Sequence, residues 1–330
     1  MTKAPRIAAV SALALGLAAS VASAQETLRV SHQWSTSDVR HKVAQMVADE
    51  VAAADVGLEL QIFPSQSLFK AREQYRPLSR GQLDATVFPL AYASGERPAY
   101  NATLMPGLVK NHDHAARLND SEFMGRIKEI MAEDDVMVLV DGYLAGAFAG
   151  KENCVTNPED VGGLQMRAAG RSFEQMLAEA GASIASMSSA EIYNAMQTGV
   201  LDAANTSSSS FVSYRIYEQV SCFSPAGDVA LWFMYQPMLM NKSTFEGLTE
   251  EQQQALMDAA EKAEAFYLDE AKAADARAAE VFKENGVEIA EMTEEDFQAW
   301  QEVARNSSYE AFVENTPDGQ AILDMALSVE

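Results

Sequence analysis

Residues 27–63, TLRVSHQWSTSDVRHKVAQMVADEVAAADVGLELQIF, decide the class of the fold. The stretch begins and ends with short runs in which apolar and polar residues alternate, as they do in β-strands. Between these runs, apolar residues recur at helical spacing after Asp38, which favours a helix N-cap, and Gly57 marks the end of the helix. Strand, helix and strand in so short a span predict a βαβ unit. We therefore expect an α/β fold with a parallel sheet at this point.

The overall composition is that of a globular protein with a strongly acidic surface. The chain has 330 residues, 48% of them hydrophobic, and its 48 Asp and Glu residues outnumber 24 Lys and Arg residues, for a net charge of -24. The length predicts two lobes or two domains. The charge argues against a nucleic-acid binder and against adhesion to an anionic membrane. A small anionic ligand remains compatible with it, because one Arg in a cleft outweighs a screened global field.

The first 24 residues have the three parts of a secretory signal peptide. Lys3 and Arg6 precede the uncharged apolar run 7–21, and the small residues ASA follow at 22–24. We expect cleavage after Ala24 and a mature protein in the bacterial periplasm. The alternative is a membrane anchor, but the apolar run is short for about 30 Å of hydrocarbon.

Cys154 and Cys222 are the only cysteines in the sequence. In an oxidising compartment two cysteines favour a disulfide. Closing a loop of this size would stabilise the fold by about 4 kcal/mol in the chain-entropy model. Two buried free thiols are the alternative, since the distance between the two Cα atoms cannot be read from a sequence.

The motifs of common enzymes and cofactor sites are missing from the sequence. GxGxxG, GxxxxGK[ST], HExxH and GxSxG do not occur. The two histidines of His112-Asp113-His114 are potential metal ligands, but no Cys or third His lies near them in the sequence. We therefore interpret Asp113 as a helix cap. We therefore expect no metal, no cofactor and no enzyme activity.

The rest of the chain continues the α/β pattern and contains one unusually long helix. Strands are predicted at 83–88, 136–141, 164–167 and 200–203, and a capping box at Ser172 opens a helix between the last two. No Gly or Pro occurs between Thr249 and Gly286, which predicts one helix of about 37 residues, roughly 55 Å long. Such a helix is best explained as a strut crossing both lobes, with a kink near 267–269 as the alternative. The run Ser207 to Ser210 is the one low-complexity block that stands out.

Arg167 is the residue that we expect to bind a ligand. It ends the predicted strand 164–167, on the face of Gln165 rather than the core face of Met166, and it precedes a helix. Ligands of open α/β sheets bind at the carboxyl ends of the strands. A guanidinium there can hold a carboxylate through two parallel hydrogen bonds, and the helix dipole adds attraction. The alternative is an ordinary surface arginine.

Three stretches resemble the DctP-type solute-binding proteins of TRAP transporters. The run NPEDVGGLQMR at 157–167 is similar to the family signature PEDLKGLKxR, and SAEIYNAMQTGVLDA at 189–203 is similar to (S)xxEVYxALQxGxVDG. FPSQSL at 63–68 is similar to FPxGQLG. The two longer motifs lie at the separation expected in the family, and the resemblance covers the whole mature chain.

The resemblance implies a two-lobed periplasmic-binding-protein-like fold (Venus flytrap), with mixed sheets flanked by helices and a long helix spanning both lobes. Lobe I is expected to comprise residues 25–147 and about 236–268, and lobe II residues 148–235 and about 269–330, with the ligand cleft between them. The resemblance also implies delivery of a small organic acid to the small and large membrane permease subunits of a TRAP transporter. We expect a monomer that does not insert into the membrane.

The resemblance also assigns roles to individual residues. It makes Arg167 the residue that binds the ligand carboxylate and suggests Asn205 and Thr206 as polar contacts. Many members have a second Arg at the position of Ala147, and Arg171 is the candidate to replace that charge, with a place on the surface as its alternative.

Aromatic residues after the predicted strands are further candidates to line the cleft. They are His32, Trp34, Phe88, Tyr92 and Trp232. The apolar residues 89–92 stand where sugar-acid binders of the family carry an acid or a base. We therefore expect an aromatic or apolar monocarboxylate, although each aromatic side chain has a place in the core as its alternative.

Two other functions compete with transport. A secreted enzyme would act on a small carboxylate in the same cleft, with His32, Glu191 and Ser207 as the available groups. A ligand sensor would present its closed form to a membrane receptor.

Overall fold

The structure is a computed structural model that describes residues 25–227 and 230–329. The predicted signal peptide, residues 1–24, lies outside these described residues. Within them, no helix combines the length and the apolar character that crossing a membrane requires.

Two mixed β-sheets form the frameworks of two lobes. The strands in chain order are β1 (Glu26–Ser31), β2 (Leu58–Phe63), β3 (Ala85–Val87), β4 (Val136–Val140), β5 (Tyr143–Gly150), β6 (Gln165–Ala168), β7 (Ser183–Ser186), β8 (Ala203–Ser207), β9 (Cys222–Ser224), β10 (Trp232–Tyr235), β11 (Met238–Asn241) and β12 (Glu288–Ile289). The first sheet has the order β2-β1-β3-β11-β4, and the second has the order β12-β9-β5-β8-β6-β7, with β10 paired to β5. β1 runs parallel to β2 and β3, whereas β11 runs antiparallel to β3 and β4.

Helices cover both sheets. In chain order they are α1 (Val39–Ala53), α2 (Tyr75–Ser79), α3 (His112–Asn119), α4 (Glu122–Glu133), α5 (Arg171–Glu179), α6 (Ile192–Gln197), α7 (Ser208–Ser213), α8 (Lys242–Gly247), α9 (Glu250–Glu284), α10 (Glu294–Ala304), α11 (Glu310–Asn315) and α12 (Gly319–Leu327). A π-helical segment, Arg305–Tyr309, joins α10 to α11. This is the α/β class that the sequence predicts.

The βαβ unit predicted at residues 27–63 is confirmed. Asp38 caps α1 by accepting a hydrogen bond from the backbone N–H of Arg40 at 3.0 Å. The valines of α1 form one buried stripe in the hydrophobic core of the first lobe. β1 and β2 pair in parallel along their whole lengths, from Glu26 opposite Leu58 to Ser31 opposite Phe63.

The long helix is a single element that packs on both lobes. α9 has 35 residues, and Thr249 and Gln252 form the predicted capping box at its start. It packs against α1 and β4 of the first lobe and against α7, β5 and β12 of the second. Its buried side is mostly alanine, which allows close approach of both lobes. The alternative of two helices separated by a kink is therefore wrong.

The chain crosses between the sheets at three places. It passes from β4 to β5 at residues 141–142, from β10 to β11 at 236–237, and along α9. Gly142 is required at the first crossing, because a Cβ there would lie 2.1 Å from the ring of Tyr267. We propose the lobe boundaries at these crossings, which assigns residues 143–147 to the second lobe. α12 packs on α4 and so returns the end of the chain to the first lobe.

Three local predictions are wrong. Ser172 does not cap α5, which begins at Arg171 after Gly170; its hydroxyl donates to the carbonyl of Asn101 at 3.4 Å. Asp113 lies inside α3, whose cap is Asn111. The strand predicted at 200–203 begins only at Ala203.

Cys154 and Cys222 form the predicted disulfide. Their Cα atoms are 5.0 Å apart, and 68 positions separate them in sequence. The bridge joins the segment after β5 to the start of β9 in the second sheet. The sulfurs and Glu288 also form the one cluster of potential metal ligands among the described residues, but disulfide sulfurs are not thiolate ligands.

Replacing both cysteines with serine should destabilise the second lobe. The expected loss in the free energy of unfolding is about 4 kcal/mol, because the open chain gains conformational entropy in the unfolded state. Urea unfolding of C154S/C222S and of the wild type measures this loss. Two alkylatable thiols in wild-type protein isolated from the periplasm would contradict the bridge.

Candidate functional site

A small cavity lies between the two lobes. Its open volume is about 10 Å³, and its lining residues are Arg40, Pro89, Tyr92, Arg167, Ala169, Ser189, Thr206, Ser210, Trp232, Met234 and Gln236. This lining holds two arginines and no carboxylate. A larger groove beside α3 and α9 is acidic and has no Lys or Arg in its lining, so it does not suit an anion.

Arg167 is almost completely buried in this cavity wall, with 1% of its surface exposed. It lies in β6, where parallel pairing with β7 and β8 holds the backbone. Its Nε donates to the carbonyl of Met187 at 3.0 Å and its Nη1 to the carbonyl of Asn205 at 2.6 Å. Its Nη2 donates to the hydroxyl of Tyr92 at 2.7 Å. The guanidinium is therefore held rigidly by three neutral oxygen atoms.

No described carboxylate pairs directly with Arg167, although the charge of Glu174 acts on it from farther away. Among the described residues, none places a carboxylate oxygen within 4.0 Å of it. Burial lowers the pKa of its guanidinium below the usual range. A guanidinium has five N–H donors, and three of them are used, so one N–H on each terminal nitrogen remains. Two donors on the terminal nitrogens of a guanidinium are of the kind that can bind a carboxylate in bidentate fashion.

Tyr92 links the two lobes at this point. It follows β3 in the first lobe, and its hydroxyl accepts hydrogen bonds from Arg167 and from the backbone N–H of Ser189, at 2.7 and 3.2 Å. The guanidinium of Arg72 lies 4.6 Å from the centre of its ring. Burial raises the pKa of the Tyr92 phenol, but the two arginine charges outweigh it and the net shift is downward. Since its oxygen is an acceptor twice, its proton is available for a third partner.

Arg40 differs from Arg167 because its charge is fully paired. Its Nε and Nη2 donate hydrogen bonds to the carboxylate of Asp38 at 2.6 and 2.7 Å. The guanidinium lies 4.0 Å from the ring centre of Trp34. Its remaining N–H groups donate to Ser207, Ser210 and Gln236. All five donors are therefore used. Arg40 lowers the pKa of Asp38 against the upward effect of burial.

Four serines of the second lobe, at 207, 209, 210 and 213, complete this ion pair, and we call them the serine clasp. Ser209 and Ser213 donate to Asp38 Oδ2 at 3.1 and 2.7 Å, and Ser207 and Ser210 accept from Arg40. Because Asp38 and Arg40 belong to the first lobe, these bonds exist only when the lobes are together. We call this arrangement, in which the two lobes are in contact across the cavity, the closed form.

The structure brings four of the predicted site residues to the cavity: Arg167, Thr206, Tyr92 and Trp232. Asn205 lies behind Arg167, where its carbonyl accepts from the guanidinium and its Oδ1 from the N–H of Ala169. Gly146 makes room for Trp232, since a Cβ at this position would lie 2.3 Å from the indole.

Four predicted residues do not reach the cavity lining: Arg171, His32, Trp34 and Phe88. Arg171 is exposed at the start of α5, so it does not replace the second charge. Phe88 packs in the core of the first lobe, and Trp34 lies beneath Arg40. His32 is buried, with its Nε2 3.1 Å from His41 Nδ1. Burial, followed by the charge of His41, lowers the pKa of His32 to about 3.

Sequence reasoning missed Arg40 and Gln236. Arg40 is the second residue of α1, where a cation opposes the helix dipole. Such a conflict with a local rule is typical of functional sites and could have drawn attention to it. The serine run at 207–210 was visible, but Ser207 was considered only as a candidate group of an enzyme. No motif or periodicity in the sequence marks Gln236, which lies in a crossing segment.

Comparisons with known proteins show the family of the chain. The sequence model of the DctP family, described as bacterial extracellular solute-binding protein, family 7, matches residues 30–315. A solute-binding protein of Albidiferax ferrireducens is 33% identical over 309 residues, which is 90% of this chain and 91% of the relative. The sialic acid-binding periplasmic protein SiaP of Vibrio cholerae is 26% identical over 84% of this chain and 86% of its own.

A solved structure has the same fold. The TRAP periplasmic solute-binding protein from Rhodoferax ferrireducens, crystallised with bound malonate, superposes with a TM-score of 0.88 at 31% identity. The match covers 92% of this chain and 98% of that protein. The two-lobed architecture is therefore that of the TRAP solute-binding proteins.

The buried His32 should make the stability of the protein depend on pH. Its pKa is about 3 in the folded state and 6.5 in the unfolded chain, so the unfolded chain takes up the proton first as the pH falls below 6.5. The free energy of unfolding should thus be lower at pH 5 than at pH 7, with about 2 kcal/mol of the difference due to His32. Urea unfolding at both values measures it. H32Q should show a smaller difference by that amount, and an unchanged difference would contradict the assignment.

Proposed function

The chain belongs to the DctP family of bacterial extracellular solute-binding proteins, and we propose on that premise that it captures a small organic acid in the periplasm for a TRAP transporter. The observation that carries the proposal is the buried guanidinium of Arg167, which has two spare donors and no ion-pair partner among the described residues. A ligand carboxylate is the partner that this group lacks.

The carboxylate of the ligand binds Arg167 through the two remaining N–H groups. Paired, charge-assisted hydrogen bonds are the strongest that a side chain offers, and exclusion of water strengthens them further. Tyr92 adds its phenolic proton, and the hydroxyl of Thr206 borders the same space. The carbonyls of Met187 and Asn205 keep the guanidinium in place, so its side chain loses little conformational entropy when the ligand binds.

Closure of the lobes completes the site. Arg167 and Thr206 come from the second lobe, whereas Tyr92 and Arg40 come from the first. A ligand that contacts both sets favours the closed form, because it makes fewer contacts in an open one. The closed form is then the one delivered to the small and large permease subunits. We propose that the protein acts as a periplasmic monomer that binds neither nucleic acid nor the membrane directly.

The cavity is tightly closed in this structure, with about 10 Å³ of open space, room for about one water molecule. The relative crystallised with malonate offers a small acid as a first probe. The preference for an aromatic or apolar acid that the sequence predicted is not supported. Three of the five residues that suggested it do not line the cavity, and the ligands named for the relatives, malonate and sialic acid, are not aromatic.

The proposal is for binding without chemical change. The groups considered for an enzyme are engaged elsewhere: His32 does not line the cavity, Glu191 accepts from the N–H and hydroxyl of Ser188, and Ser207 accepts from Arg40. We favour transport over sensing because the match to the malonate-bound relative covers nearly all of both chains.

Replacing Arg167 with methionine tests the carboxylate site. Methionine fills much of the same space without charge, so the fold should survive while malonate binding weakens at least about 100-fold, because two charge-assisted hydrogen bonds are lost. Isothermal titration calorimetry with malonate, pyroglutamate and isovalerate measures the affinities. R171M is the matched control on an exposed arginine four positions away and should bind like the wild type. If R167M keeps its affinities within threefold, Arg167 is not the carboxylate site.

Removing two hydroxyls of the serine clasp should weaken binding without altering the cavity. S209A/S213A takes two hydrogen bonds from Asp38 in the closed form only, so malonate affinity should fall about tenfold. Small-angle scattering should show a larger radius of gyration at subsaturating malonate. S79A removes an exposed hydroxyl and serves as control. Affinity of the double variant within twofold of the wild type would show that the clasp does not stabilise closure.

A further inference from the structure

Gln236 lies at the crossing between β10 and β11 and lines the cavity. Its backbone is held on both sides, since its N–H donates to the carbonyl of Gly142 at 2.8 Å and its carbonyl accepts from the hydroxyl of Tyr267 at 3.0 Å. Only 1% of the residue is exposed. The side chain therefore has a fixed starting point in the wall of the site.

The contact with Arg40 determines which way the amide of Gln236 faces. Arg40 Nη1 donates to Gln236 Oε1 at 2.7 Å. A guanidinium carries donors alone, so the atom that faces it must be the amide oxygen. The amide nitrogen consequently faces away from Arg40, and within residues 25–227 and 230–329 it donates to no acceptor. Two N–H donors of a buried side chain are thereby left for the cavity.

The groups that face the cavity are thus mainly hydrogen-bond donors. Arg167 contributes two N–H groups, Tyr92 one O–H and Gln236 an NH₂, and the hydroxyls are the side-chain groups of the lining that also accept. The lining residues include no Asp or Glu that would pair with a cationic amine. A ligand that matches this wall carries acceptors at two places and no ammonium group.

We propose that Gln236 is a specificity-determining residue that binds an oxygen acceptor on a second polar group of the ligand, so that the protein selects compact dicarboxylates or oxo acids over monocarboxylates and amino acids. The inference rests on the proposed function, because it takes binding of the first carboxylate to Arg167 as given. A site built to hydrogen-bond an oxygen rejects an analogue without it strongly, since its buried donors are then left unpaired.

Malonate and isovalerate form a matched pair for the test, because an isopropyl group replaces one carboxylate at nearly the same shape. Calorimetry on the wild type should give malonate an affinity at least about 100-fold above that of isovalerate. Pyroglutamate, whose ring carbonyl is an acceptor, should likewise bind better than proline, whose amine is cationic.

The variant Q236E isolates the two donors. It keeps the size of the side chain and an oxygen for Arg40 but presents an acceptor to the ligand, so the preference for malonate over isovalerate should fall at least tenfold. Q82E adds the same charge at an exposed position and should leave the preference unchanged.

Two results would contradict the role of Gln236 alone, and a third would also contradict the proposed function. If the wild type binds isovalerate within threefold of malonate, or if Q236E keeps the wild-type preference, the role of Gln236 is wrong while carboxylate binding at Arg167 stands. If the wild type binds none of the three acids, malonate, pyroglutamate and isovalerate, both the inference and the proposed function are overturned.

Discussion

The closed structure is organised around one buried positive charge that no acidic side chain in the described residues neutralises. Removing a guanidinium from water is costly, and three neutral oxygens compensate only part of that cost for Arg167. The missing interaction is one that a bound anion supplies. If a ligand carboxylate supplies it, as we propose, affinity for that ligand and stability of the closed form have the same physical origin.

The second arginine of the cavity shows why the first is special. Arg40 is as deeply buried, but Asp38 neutralises its charge and every N–H has a partner. Some of those partners belong to the opposite lobe. Contact between the lobes, and not a ligand, therefore completes the hydrogen bonds of Arg40 and Asp38. The site thus combines Arg167, which has no ion-pair partner among the described residues, with Arg40, which forms hydrogen bonds between the lobes.

The crossings of the chain explain where the site lies. The segments at 141–142 and 236–237 join the two sheets, and Gln236 and Trp232 lie in or beside the second of them. α9 runs along both lobes and packs on elements of each. Because both sheets contribute to the lining of the cavity, a rotation about the crossings would change its walls and leave each sheet intact.

Local patterns in the sequence determined the α/β class, the βαβ unit at 27–63, the length of α9 and the family, because periodicity, caps and glycines act over a few residues. They also singled out Arg167, which alternation placed on the face of Gln165 and which the following helix placed near the end of a strand. Contacts between distant residues decided the rest: that Phe88, Trp34 and His32 do not line the cavity, that Arg171 is exposed, and that Arg40 meets the serines of α7. Those positions depend on how two lobes meet across more than a hundred residues of chain, and no short stretch of sequence records that geometry.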